Sequence, residues 1–206
     1  MKWIAAIGLI YLTGALAQAS QSPSEKKYYL GHQEKFINIT FESNADVETI
    51  VGTTHNASGE MSVDLTKGTG SVSITVPVAS LRTGVDARDE HLRQPNWLDA
   101  EKFPDITFQS KKSSPHAGKK DQVEVVGDFS VHGVKKEITV IVTFKAIPLA
   151  ASQKAGFGDG EWVKFATEFD VKLSDYGIQI PQGIVAKVSE VWKVKIALFA
   201  GTEKPE

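Results

Sequence analysis

Apolar and polar residues alternate in short runs along most of the chain, which is the period of a half-buried β-strand. In Phe36 to Glu42, residues 37, 39 and 41 fall on one face of an extended segment, with Asn38, Thr40 and Glu42 on the other. The same period predicts strands over 47–51, 60–65, 71–78, 105–110, 122–131, 137–144, 161–173 and 188–199. Val72, Ile74, Val76 and Val78 share one face, as do Ile138, Val140, Val142 and Phe144. Pro77 cannot donate to a ladder and marks an edge or a strand end. Residues 53–59 carry turn chemistry, 111–121 and 148–160 read as loops, and 132–136 reads as a hairpin connection. A helical period fits in only two places: 46–49, and 86–98, where Arg88, His91 and Leu92 share a side. Eight or more short strands joined by turns predict an all-β antiparallel sandwich or a closed barrel. A barrel of about eight strands is wide enough either to fill with side chains or to hold one slim ligand.

The stretch from Ser80 to Ser110, most of it the long connection between the strands at 71–78 and 105–110, holds the densest run of charged and aromatic residues. Connections of this length are uncommon without a function, so it is expected to act as a lid or binding loop across a barrel mouth. Trp97, Leu98 and Phe103 within it are suited to plugging a barrel end.

The N-terminus changes the picture of location. Lys2, an apolar run from Trp3 to Leu16 and small residues at 15, 17 and 19 have the layout of a signal peptide, with cleavage after Ala17 or Ala19. The expected organisation is a leader at 1–17, one domain at 25–201, and a periplasmic or secreted location. The apolar run is too short to span a bilayer. The chain has no cysteine, so its core alone must hold it together. Removing Lys2 with the leader leaves 22 basic against 25 acidic residues, which argues against nucleic acid as a partner.

Candidate chemistry is sparse. His32, His55, His91, His116 and His132 lie singly, without the paired spacing of a metal site. A nucleophile elbow is absent, and the glycines at 156–160 precede a strand where a phosphate loop precedes a helix. Asp86, Asp89, Glu90, Asp99 and Glu101 offer acids and bases, but Arg88 and Asp89 are better suited to pairing with each other or capping a turn. No catalytic residue, metal or cofactor is expected. What remains is inward apolar surface, which a packed core and a hollow one share.

Three words, Thr83 with Arg88 to Leu92 (T-x4-RDEHL), Leu98 to Ser110 (LDAEKFPDITFQS) and Gly127 to Lys136 (GDFSVHGVKK), occur in an order that resembles the YceI-like family of exported bacterial proteins. The similarity extends more loosely from about Tyr28 to Phe199. It implies an extended, eight-stranded, lipocalin-like β-barrel, often a homodimer, that binds a long-chain isoprenoid or similar lipid, such as a quinone or polyprenyl phosphate tail. Family members lack an established enzymatic activity. Ile39, Phe41, Ile74, Val76, Phe108, Phe129, Val140, Val142, Phe165, Phe169 and Ile196 would line the tunnel. Arg88, Asp89, His91 and His132 would order its mouth or meet a polar head group. Alternatives are a ligand-free stress-response or interaction module with a filled barrel, and a metal-dependent enzyme using His91 and His132.

Overall fold

The structure, a computed structural model, describes residues 24–205, so the leader expected at 1–17 lies outside the described residues. Ten strands run β1 Lys26–Leu30, β2 Ile37–Asn44, β3 Thr49–Thr54, β4 Ser58–Asp64, β5 Thr69–Pro77, β6 Asp105–Pro115, β7 Gln122–Val131, β8 Val134–Ile147, β9 Trp162–Lys172 and β10 Val191–Gly201. Two helices, α1 Asp86–Arg93 and α2 Leu149–Lys154, are short. Every strand pairing is antiparallel, in the order β1-β4-β5-β6-β7-β8-β9-β10, and Tyr29 opposite Gly201 closes these eight into a ring. β10 pairs β9 along its whole length on one side. On the other it pairs β1 at Gly201 and β2 over 192–198, and β3 hangs from β2. The protein is an antiparallel β-barrel with one short helix in the 86–98 connection.

The inward faces are those read from the alternation. Ile37, Ile39 and Phe41 are buried along β2, and Val140 in β8 stands opposite Val125 in β7. The β7–β8 hairpin turns on two residues, His132 and Gly133, with φ of 52° and 73°. That is the twist-matched turn of a tight hairpin, so β8 starts at Val134, earlier than its apolar run suggests. Pro77 ends β5, opposite Asp105.

Several elements differ from the sequence reading. β1 escapes a count of alternation because Lys26 and Lys27 lead it and only Tyr28 and Leu30 turn inward. Residues 46–49 are not helical: Ala45 N–H donates to Glu48 O, which makes the β2–β3 turn. β3 runs through Gly52 to Thr54, paired with Phe41, Thr40 and Ile39 of β2, and Gly52 is an in-register strand residue whose missing side chain leaves room for the Phe41 ring. β6 continues five residues past Ser110 through a bulge between Ser110 and Lys112. There its inward positions are serines, which carry no apolar signal. α2 occupies part of the expected loop at 148–160.

Candidate ligand cavity

A cavity of about 210 Å³ runs inside the barrel between two clusters of buried side chains. All eleven apolar residues named from the sequence line it: Ile39, Phe41, Ile74, Val76, Phe108, Phe129, Val140, Val142, Phe165, Phe169 and Ile196. Ile74, Phe108, Val142, Phe165 and Ile196 face inward yet are only partly buried, because they border empty space even where they also pack against the buried clusters. Met61, Val63, Val72, Ile106, Ile138, Phe144 and Val194 also line it and extend the same alternating faces. Leu81, Leu98, Ile178 and Trp192 line it as well. The first three come from connections without any period; of them only Leu98, named with Trp97 and Phe103 as suited to plug a barrel end, is legible in the sequence, while Leu81 and Ile178 are not.

One end of the cavity is sealed. Leu81, Leu98, Leu173, Ile178 and Trp192 line it there and are each no more than 8% exposed. Trp192 stacks on Phe41 with ring centroids 5.1 Å apart, and Trp97 lies behind it at 6.5 Å. The 78–104 connection and the 173–190 segment cross this end. They are tied to the β2–β3 hairpin by Arg82 N–H to Thr53 O (2.9 Å) and Val47 N–H to Ala186 O (3.0 Å). The long connection therefore plugs the barrel.

The four polar residues assigned to a mouth sit in this plug and do not line the cavity. Arg88 and Asp89 do not pair with each other: Arg88 reaches Glu48 at 2.7 Å, and Asp89 Oδ1 accepts from the amide and hydroxyl of Thr83, both at 2.7 Å. Burial alone would raise the Asp89 carboxyl, but the Thr83 donors and the charges of Arg82 and Arg93 outweigh it and hold the group below its ordinary value. His91 is exposed on α1. His132 Nδ1 lies 3.0 Å from Tyr176 O, and the edge of its ring meets Phe103. These side chains hold loops in place, and the helix and hairpin that carry them belong to the sealed end.

The polar end is the opposite one, where Asp64, Gly68, Thr69, Gly70, Ser71 and Ser113 line the cavity. Thr69 and Ser71 are the exposed members of the lining, so here the cavity meets solvent. β5 and β6 pair from Pro77 with Asp105 to Ser73 with Gln109 and then part. Beyond that point hydroxyls replace the ladder: Val72 N–H donates to Ser110 Oγ (2.8 Å), Gly70 N–H donates to Ser113 Oγ (2.7 Å), and Ser113 Oγ–H donates to Gly70 O (2.9 Å). Asp64 is the one ionisable residue among the lining. The hydroxyls of Ser24 and Thr66 and the amide of Lys67 hold its carboxylate far below the ordinary range, and it orders the β4–β5 turn. Among the described residues no three histidine, aspartate or glutamate side chains converge as metal ligands.

This geometry defines a class: an antiparallel barrel plugged at one end around a cavity lined almost wholly by hydrocarbon. A YceI-like domain matches residues 28–200, and the chain belongs to that family. A UPF0312 protein of Pseudomonas putida is 30% identical over 177 residues, covering 85% of each chain. Protein YceI of Escherichia coli O157:H7 is 24% identical over 182 residues, covering 86% of this chain and 88% of its own. Among solved structures, Burkholderia cenocepacia BcnA superposes with a TM-score of 0.68 at 21% identity, covering 82% of this chain and 99% of its own. A polyisoprenoid binding domain from Saccharophagus degradans superposes with a TM-score of 0.59 at 16% identity, covering 84% and 97%.

Proposed function

We propose that this protein takes up a long-chain isoprenoid or similar lipid in the barrel cavity after export to the periplasm or another exported compartment, and carries, stores or senses it. The observation that carries this reading is the cavity itself, bordered by inward side chains that leave space between them. Each buried methylene contributes about 0.8 kcal/mol, against roughly 4–15 kcal/mol lost on immobilising a ligand, so only chains of roughly ten or more carbons are held firmly without polar anchors. The polyisoprenoid binding domain of S. degradans, which shares the fold, supports the same ligand class.

Catalysis is the weaker reading. His91 and His132 are on separate elements of the plug, and His132 is engaged by Tyr176 and Phe103. An enzyme built on them needs both within hydrogen-bond reach of one substrate.

Native mass spectrometry of protein purified without detergent, followed by organic extraction, tests the proposal. A co-purifying isoprenoid is the expected result. Protein at bare mass, still bare after incubation with polyprenols and quinones, would move the reading to a ligand-free module.

A further inference from the structure

The open end of the cavity is bordered by the most basic stretch of the chain. Residues 110–120 hold four lysines and, between Asp105 and Asp121, there is no acidic residue, in a chain whose formal net charge is −2. Lys111 is engaged by Asp128 and Glu137 on the barrel wall. Lys112, Lys119 and Lys120 are exposed, and their ammonium groups have no ion-pair partner among the described residues. This loop borders the opening: Gly68, in the cavity lining, lies against Pro115, the last residue of β6, and Val123, the second of β7. The lining at this point is mainly glycine, serine and threonine, with the buried carboxylate of Asp64 tied into the β4–β5 turn by Thr66 and Lys67, and the β5–β6 ladder is replaced by the Ser110 and Ser113 hydroxyls.

From this juxtaposition we infer that the Lys112 to Lys120 loop docks the open end of the barrel on an anionic phospholipid bilayer, so that a lipid passes between membrane and cavity at the β5–β6 seam. The inference rests on the lipid-binding reading for what passes, but not for the docking itself. Charge complementarity selects the occupant: a cluster of lysines with no interleaved acids attracts a surface of phosphate headgroups. Each basic residue near such a surface strengthens association by about fivefold, and the attraction weakens with salt because it acts across a Debye length. The sealed end has a different character, since Arg88 there is paired with Glu48 and Lys136 with Asp175.

Sedimentation with vesicles of phosphatidylcholine alone, or mixed in equal parts with phosphatidylglycerol, tests the docking without any isoprenoid present. The expected result is binding to the mixed vesicles only, reversed by salt, and weakened by well over about a hundredfold in a Lys112→Glu/Lys119→Glu/Lys120→Glu variant, since removing three lysines at about fivefold each already accounts for about a hundredfold. A glutamine triple variant gives an intermediate loss, and Lys135→Glu, exposed near the plugged end, sediments like wild type. Transfer of a fluorescent isoprenoid from mixed vesicles slows in the glutamate variant, while uptake of the same probe from a lipid-free dispersion is unchanged. Wild-type protein that ignores anionic vesicles, or a glutamate variant that binds them equally, overturns the inference. Failure of wild type to take the probe from the lipid-free dispersion instead overturns the lipid-binding reading, and sedimentation alone then decides the docking.

Discussion

Gly133 is under two constraints at once. Its φ of 73° puts it in the left-handed region, and a Cβ there would come 2.3 Å from Cε1 of Phe103, a ring in the plug. Gly133→Ala therefore strains the hairpin turn and displaces the ring, and urea unfolding is expected to show a loss of about 2 to 3 kcal/mol. Gly118 has a similar φ of 82° but open space where its Cβ would stand, so Gly118→Ala loses only the backbone part, about 1 kcal/mol. Equal losses at the two sites would contradict the Phe103 contact. Asp89, 4% exposed, satisfies two donors of Thr83, and Asp89→Ala leaves a half-buried amide without its partner, a loss of about 1–2 kcal/mol. Because its native carboxyl is held below the ordinary value, its contribution is complete above the unfolded value near about 4 and is lost as pH falls through the lower native one. The gap in stability between wild type and Asp89→Ala should accordingly narrow as pH drops below about 4. A gap that stays constant down to about pH 2 would show that the carboxylate charge is not what Asp89 supplies.

At the scale of elements, β5 and β6 are joined in two ways. From Pro77 to Ser73 the connection is an ordinary ladder, and from Val72 to Gly70 it consists of serine hydroxyls reaching across. A side-chain hydroxyl is held less rigidly than a backbone carbonyl, so the seam is expected to open more readily than the ladder beside it. Ser113→Ala removes both bonds to Gly70. The expected outcome is amide exchange at Gly70 faster by about tenfold or more, with exchange in the paired part of β5 unchanged and global stability lower by about 1–2 kcal/mol. Uniform acceleration along β5 would show that the strand opens as one unit. The bulge between Ser110 and Lys112 lies in the β6–β7 pairing and bends β6 at the point where the serines begin.

For the whole molecule, closure of eight strands leaves an interior that side chains could fill, and in this protein they do not. Val142 faces the cavity from β8, opposite Val123 of β7 and Thr167 of β9. Val142→Trp projects an indole into empty space and not into a packed core, so its thermal midpoint should stay within a few degrees of wild type. Binding of a fluorescent isoprenoid should weaken at least about tenfold, because the ring takes volume the chain needs. Titrations that saturate equally for both proteins would remove Val142 from the binding surface.

The alternation of residues along the chain determined most of the wall. A period of two assigns each side chain to a face from local sequence alone, which is why the eleven apolar residues from Ile39 to Ile196 all stand on the cavity side. The YceI-like words likewise pointed to a barrel. Tertiary structure decided the rest. Ring closure depends on Tyr29 meeting Gly201 across almost the whole chain, and β1 is too short to declare itself. The sealed end is set by Leu98, whose place in an apolar and aromatic cluster already suggests a plug, and by Leu81 and Ile178, which lie in loops and have no period to read. The placement of Arg88, Asp89, His91 and His132 in the plug, away from the opening, follows from those same long-range contacts. Whether the barrel is hollow depends on its circumference and on how far facing side chains fall short of one another. Identical alternation serves a filled core and an empty one, so that property exists only once the strands are closed.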